Sequence, residues 1–91
     1  MGRYKVELTE KAVEDISGYL KHGDKASFAK VQLLLDELSD HPKTGTGKPE
    51  ELKYSLKGYW SRRINRYDRL IYSIHEVSVT VFVVSASKHY R

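Results

Sequence analysis

The last four residues of the chain place an imidazole, a phenol and two cations side by side: Lys88, His89, Tyr90 and Arg91. Imidazole titrates near neutral pH, so a positioned His89 can give or take a proton under physiological conditions. Upstream, a basic and aromatic segment from Gly47 to Tyr72 contains one carboxylate pair, Glu50-Glu51. A base, an acid and cations are what RNA strand scission requires. On position alone, a solvated strand end is the commoner reading of such a tail.

Cutting RNA without a metal ion takes three kinds of group. A base removes the proton of a ribose 2′-hydroxyl, cations stabilise the charge on the phosphorane, and an acid protonates the departing 5′-oxygen. Glu50, at the end of a loop expected to be flexible, is the candidate base, and His89 is the candidate acid. The candidate charge stabilisers are Lys53, Arg63 and Arg69. The aromatic side chains suited to stacking on unpaired bases are Tyr59, Trp60 and Tyr90.

Two of these candidates have simple structural alternatives. Glu50 is equally suited to capping the start of a strand or to pairing with Lys48 or Lys53, as surface carboxylates usually do. Trp60 is the sole tryptophan, and large aromatic side chains pack in cores more often than they stack on nucleotides.

The arginines also leave alternatives open. Arg69 on a strand can be a structural ion-pair partner of Asp68 or Glu51. Adjacent strand residues point to opposite faces of a sheet. Of Arg62 and Arg63, at most one can therefore line a given site.

Composition limits the classes of protein that the chain can belong to. Its 91 residues predict one domain, residues 1–91. The net charge is +4, and residues 41–72 carry eight Lys or Arg against three Asp or Glu, a one-sided field that attracts polyanions. There is no cysteine, and the four histidines have no ligand spacing, so we expect no metal and no cofactor. No apolar run is long enough to span a membrane, and the expected location is the cytoplasm.

Hydrophobic periodicity predicts the order β-α-α-β-β-β-β. The pattern gives a strand at 3–8, a helix that Thr9 caps and Gly23 ends, and a second helix from Asp24 to His41-Pro42. After a loop at 43–49, strands are predicted at 51–57, 60–66 and 69–75, and a central one, covered on both faces, at 79–84. The fold class is α+β, with two N-terminal helices packed on one face of a largely antiparallel sheet.

Four segments taken together resemble a known family. They are Gly45-Thr46-Gly47-Lys48-Pro49-Glu50-Glu51-Leu52-Lys53, Leu56-Lys57-Gly58-Tyr59-Trp60-Ser61-Arg62-Arg63-Ile64, Arg69-Leu70-Ile71-Tyr72 and His89-Tyr90. This pattern is similar to the signature of the YoeB branch of the RelE toxin superfamily. The resemblance is tight over residues 40–91, and the N-terminal half agrees in element order and length.

The resemblance implies a fold, an activity and a set of site residues. The fold would be a small RelE-like ribonuclease fold, and the activity metal-independent cleavage of mRNA in the ribosomal A site, which inhibits translation. Glu50 matches the family's general base, Arg69 its phosphate-binding arginine, His89 its general acid and Tyr90 its stacking tyrosine. Lys53 and Arg63 match further basic positions that line the RNA path. The residues predicted to bind RNA are Lys48, Lys53, Trp60, Arg63 and Lys88.

The resemblance also implies partners. These are mRNA on the ribosome, an antitoxin of the YefM/Phd type whose C-terminal segment folds over the toxin, and operator DNA bound only as the toxin–antitoxin complex. A homodimer stays open, and no membrane partner is expected.

The chain departs from the family pattern near its end. Ser87 and Lys88 stand where the family often has an Arg-Tyr pair, and the chain continues past Tyr90 to Arg91. The contacts made there can therefore differ, although no member of the proposed base, acid and cation set is lost. Two other classes remain as alternatives: a toxin of the same fold without nuclease chemistry, such as the ParE branch, and a basic nucleic-acid-binding module that does not cut.

Overall fold

Both helices begin at the caps that the sequence predicts. The computed structural model describes residues 3–88, with the backbone alone at residue 88. In it, Thr9 Oγ1 accepts a hydrogen bond from the amide of Ala12 at 3.1 Å. It also donates to the carbonyl of Val84 at 3.0 Å, which ties the start of the first helix to the sheet. Asp24 caps the second helix by accepting from the amide of Ser27 at 3.1 Å. Gly23, with a φ of 75°, separates the two helices.

The elements follow the predicted order. They are β1 (Lys5–Leu8), α1 (Glu10–Lys21), α2 (Lys25–Asp40), β2 (Glu50–Glu51), β3 (Tyr59–Arg63), β4 (Asp68–His75) and β5 (Thr80–Lys88). The five strands form one sheet in the order β1-β5-β4-β3-β2, in which β1 pairs with β5 in parallel and the other pairs are antiparallel. The α+β class and the largely antiparallel sheet are confirmed.

The core lies between the helices and one face of this sheet. Its fully buried side chains include Val31, Leu34 and Leu38 from α2, and Leu70 and Tyr72 from β4. This face will be called the helix face, and the opposite one the open face. Because residues alternate along a strand, everything on the open face comes from positions between the core residues.

β5 is longer than predicted and lies inside the sheet, between β1 and β4. Val81 and Val83 are buried while Phe82 is half-buried, so cover on the open face is incomplete. A bulge lets the strand continue past Val84, since Ile71 pairs with Ser85 whereas Tyr72 pairs with Val83. The polar composition after Val84 hid this extension from hydrophobicity patterns.

The strand predicted at 51–57 is wrong beyond its first residue. β2 consists of Glu50–Glu51 alone, and a 3-10 turn follows at Tyr54–Leu56. The amide of Leu52 still bonds to the carbonyl of Tyr59 at 2.8 Å. The next position on the partner strand is Gly58, which turns the chain with a φ of 97°. An edge strand has only one neighbour, so it ends where that neighbour ends.

Candidate active site

Strand register brings the candidate base and the candidate arginine to the same face. Glu50 pairs with Ser61 across β2 and β3, and Arg63 pairs with Arg69 across β3 and β4. Arg62 contacts Glu37 of α2, so it lies on the helix face. Ser61 and Arg63, its neighbours along β3, therefore lie on the open face together with their partners.

Arg69 and Glu50 form the centre of the candidate site. Arg69 Nη1 lies 3.7 Å from Glu50 Oε1 and 3.4 Å from Ser61 Oγ. The Glu50 side chain is 67% exposed and that of Arg69 is 28% exposed. A pair this long and this open is weakly held. Both groups can therefore turn to a ligand, the carboxylate to accept a proton and the guanidinium to bind an anion.

The ion-pair partner that the structure gives Arg69 is neither of the two expected carboxylates, Asp68 and Glu51. Its carboxylate neighbour is Glu50, whereas Asp68 Oδ2 accepts from the hydroxyl of Tyr19 at 2.8 Å and from Asn65 Nδ2 at 3.1 Å. Asp68 thus belongs to the helix face, where it raises the pKa of Tyr19 in addition to the larger effect of that phenol's burial.

The other predicted site residues are placed less closely together. Arg63 is exposed on the open face, directly opposite Arg69. Lys48 and Lys53 are exposed on either side of β2, and Lys53 lines a separate shallow pocket of about 270 Å³ with Tyr54 and Lys57. The structure thus brings Glu50, Arg63 and Arg69 together and leaves the two lysines at the margin.

Trp60 lies on the opposite side of the sheet. It pairs with Tyr72, is partly buried, and packs against the hydrophobic core. Trp60 therefore packs in the core, which was the structural alternative to stacking on nucleotides, and its indole points away from Glu50 and Arg69.

The terminal candidates are described only in part. The backbone of Lys88 pairs with Asp68 at the end of β5, next to the pair of Arg69 and Ser87. The Lys88 side chain, His89 and Tyr90 lie outside the described residues.

Arg62 is the residue of this site that sequence analysis left unassigned. It is completely buried, and its Nη1 donates to Glu37 Oε1 at 2.8 Å and to the Thr46 carbonyl at 3.4 Å. Its Nη2 donates to the carbonyls of His41 and Thr44, the latter at 2.7 Å. Alternation along β3 required one of the two adjacent arginines to point inward, but it did not say which.

These bonds fix the loop that leads to Glu50. Arg62 Nε donates to the hydroxyl of Tyr72 at 3.1 Å, so all five guanidinium N–H groups are used. The Tyr72 hydroxyl in turn donates to the Pro42 carbonyl at 2.8 Å. The expectation of a flexible loop at 43–49 is therefore wrong as far as residue 46, because the carbonyls of His41, Thr44 and Thr46 are tied to a buried cation.

Two glycines let the loop approach its neighbours closely, Gly45 the carboxylate of Glu37 on α2 and Gly47 the backbone of β3. At Gly45, with a φ of 120°, a Cβ would come within 2.4 Å of Glu37 Oε1. At Gly47, with a φ of 85°, it would come within 2.9 Å of the Arg63 carbonyl. The amide of Arg63 donates to the Gly47 carbonyl at 2.7 Å, so the loop joins β3 three residues before Glu50.

The carboxylate of Glu37 completes this support. Its Oε2 accepts from Thr46 Oγ1 at 2.6 Å and its Oε1 from the Thr46 amide at 2.8 Å. The hydrogen bonds from Thr46, and then the charge of Arg62, hold the pKa of Glu37 below its usual value. Glu37 therefore balances the buried charge of Arg62 in its ionised form.

Two kinds of feature are absent from the described part of the chain. Residues 3–88 contain no group of three or more His, Asp or Glu side chains placed to hold a metal ion. Within that same range, no helix has the length and apolar character needed to cross a membrane.

Comparison with known proteins decides the family. The model of the YoeB-like toxins of bacterial type II toxin–antitoxin systems matches residues 8–90. The chain belongs to this family. The YoeB toxin of Synechocystis is 37% identical to this YoeB-like toxin over 87 residues, which cover 96% of this chain and 98% of the relative.

Solved structures agree with the assignment. A YoeB/ParE toxin from Agrobacterium tumefaciens superposes with a TM-score of 0.85 at 30% identity, covering 94% of this chain and 99% of that one. YoeB from Staphylococcus aureus is 34% identical and covers 97% of this chain and 99% of its own. Its structure as a dimer superposes on this chain with a TM-score of 0.81. Its structure in a heterotetrameric complex with the YefM antitoxin superposes with a TM-score of 0.79.

Proposed function

We propose that this YoeB-like toxin is a ribosome-dependent endoribonuclease that cleaves mRNA in the ribosomal A site and so inhibits translation. The observation that carries the proposal is the open pair of Glu50 and Arg69, 3.7 Å apart on the face without helices. A carboxylate base beside an anion-binding cation is what attack of a 2′-hydroxyl on the adjacent phosphorus needs. Acting on ribosomes places the protein in the bacterial cytoplasm.

The roles follow from the groups and from the family resemblance. Glu50 takes the proton of the 2′-hydroxyl, whose oxygen forms a bond to phosphorus. Arg69, with Arg63 opposite it, stabilises the charge of the phosphorane as the bond to the 5′-oxygen breaks. Lys53, at the margin of the site, binds the RNA strand beyond the reacting phosphate. His89 gives its proton to that oxygen. The products are a 2′,3′-cyclic phosphate and a 5′-hydroxyl, and side chains carry every proton.

Two further assignments complete the proposal. Tyr90 stacks on a base next to the cut and positions the nucleotide. The antitoxin is of the YefM type, as in the complex of the Staphylococcus aureus relative. Its acidic, partly disordered C-terminal segment orders over the same basic face. Toxin and antitoxin together bind operator DNA, mainly through the antitoxin.

The test is to incubate the protein with programmed ribosomes and to map the mRNA ends, with free RNA alongside. We expect cuts within the A-site codon that depend on the ribosome. Intact mRNA with folded protein would contradict the proposal and favour a toxin of this fold that acts on another target. Tight binding to RNA without cuts would favour a plain binding module.

A further inference from the structure

A small pocket opens at the turn between β3 and β4. It has a volume of about 190 Å³ and is lined by Arg63, Arg66, Tyr67, Asp68 and Arg69. It will be called the turn pocket. It adjoins the candidate active site, because Arg69 lines the turn pocket and also contacts Glu50. None of the roles proposed above uses Arg66 or Tyr67.

The carboxylates around the turn pocket balance little of its positive charge, since Glu50 forms only the long, exposed pair with Arg69. Arg63 and Arg69 are directly opposite on neighbouring strands, an arrangement of like charges that destabilises a sheet. Asp68, the carboxylate of the lining, accepts hydrogen bonds from Tyr19 and Asn65 on the helix side. A bound anion is the natural counterion for three guanidinium groups gathered in this way.

The turn that carries Arg66 and Tyr67 is held in a defined shape. Asn65 Oδ1 accepts from the amides of Tyr67 and Asp68 at 2.8 and 2.9 Å. Asn65 Nδ2 also donates to Ser27 Oγ of α2 at 2.7 Å. The turn is thus anchored to a helix, and an anchored turn positions its side chains for a ligand at low entropic cost.

The two side chains at the tip of the turn combine a cation with a stacking surface. Tyr67 is 69% exposed, and the Arg66 guanidinium lies 6.0 Å from the centre of its ring. Cations that follow a backbone, together with aromatic rings that stack on bases, are how proteins bind single-stranded nucleic acid.

We propose that the turn pocket is a second RNA subsite, which binds the phosphate next to the scissile one and stacks its base on Tyr67. This inference rests on the proposed function, because it takes the strand to be the one cut beside Glu50. Arg69 connects the two phosphates, and Arg63 and Arg66 bind the second. The ligand is thus a phosphodiester with an unpaired base, and its source is the substrate strand rather than ribosomal RNA.

The test measures equilibrium binding of the full chain to a short single-stranded RNA whose 2′-hydroxyls are all methylated, so that it cannot be cut by 2′-oxygen attack. Fluorescence anisotropy at low salt would compare Arg66→Ala and Tyr67→Ala with Arg3→Ala, a matched control. Arg3 is exposed and precedes β1, at the other edge of the sheet. We expect roughly tenfold weaker binding for the two turn variants and none of this loss for the control.

A second arm identifies the contacted phosphate. The same RNA is made with one uncharged methylphosphonate at each position in turn. The loss caused by Arg66→Ala should vanish when the methylphosphonate stands at one particular position and should persist at the others, because the uncharged linkage there leaves Arg66 no phosphate charge to bind. Identical binding of all variants, no measurable binding by the unaltered protein, or a loss that persists at every position would overturn the inference. None of these results depends on cleavage, which tests the proposed function separately.

Discussion

Arg62 Nη1 lies 2.8 Å from Glu37 Oε1, and this bond joins a completely buried cation of β3 to a carboxylate of α2. Both side chains also bond to residues of the loop that ends at Glu50. The pair therefore connects the stability of the fold to the position of the candidate base.

Replacing Glu37 with Gln should lower the free energy of unfolding by about 2 kcal/mol at pH 7, because Arg62 would lose its counterion. The pKa of Glu37 is depressed in the folded protein. The ionised carboxylate therefore stabilises the fold fully above the pKa of 4.5 that applies to the unfolded chain. This stabilisation is lost as the pH falls through the folded pKa. Urea unfolding at neutral and acid pH would measure the difference in free energy of unfolding between the unaltered protein and Glu37→Gln, which should shrink in acid. Glu14→Gln, an exposed carboxylate on α1, is the control, and an equal loss there would contradict the prediction.

Glu50→Gln should leave the protein folded and slow ribosomal cleavage by about 10²-fold or more, the usual scale for one general base. Its neighbour Glu51 pairs with Trp60 rather than with Ser61, so Glu51→Gln is a matched control and should cleave at close to the normal rate. His89→Gln should be as slow as Glu50→Gln. A normal rate for either variant would remove that residue from the mechanism.

The 2′-hydroxyl at the cut should be indispensable. An mRNA with 2′-deoxyribose at that position should stay intact on the ribosome, whereas deoxyribose one position away should still permit cleavage. Mass analysis of the normal products should show a 2′,3′-cyclic phosphate or 3′-phosphate upstream and a 5′-hydroxyl downstream. Cleavage at the deoxy position would rule out attack by the neighbouring oxygen.

Gly47→Ala should lower both stability and cleavage, because an L-residue at this positive φ costs about 1–2 kcal/mol and its Cβ would meet the Arg63 carbonyl at 2.9 Å. Gly18→Ala is the contrasting control, since a Cβ there meets nothing within 4 Å. In the middle of α1 it should stabilise the protein by about 0.5–1 kcal/mol. Thermal unfolding and single-turnover cleavage would separate the two effects. Equal stability and equal cleavage rates for the two variants would contradict the conclusion that the loop positions Glu50.

Arg63→Ala and Lys53→Ala should weaken ribosome association broadly and reduce its dependence on salt. The slope of log affinity against log salt is negative, and each lost phosphate contact makes it less steep by about 0.7–0.9. Titrations at several salt concentrations would measure this slope, with Lys5→Ala, at the far edge of the sheet, as the control. An unchanged slope would show that these cations do not contact RNA.

The sequence by itself determined the class of fold and the element order. Helix caps at Thr9 and Asp24 and a glycine between the helices are local signals, readable because each acts within about one turn of helix. The family pattern also singled out Glu50 and Arg69, whose side chains the structure places 3.7 Å apart.

Only the tertiary structure decided which groups meet. Register across β2, β3 and β4 brought Glu50 beside Arg69, and contact with α2 turned Arg62 inward and left Arg63 exposed. Alternation along a strand separates neighbours but does not say which face the helices will cover. The fixed shape of the loop before Glu50 was also unpredictable, because the loop carbonyls bond to the guanidinium of Arg62, and only the fold shows that this side chain points inward.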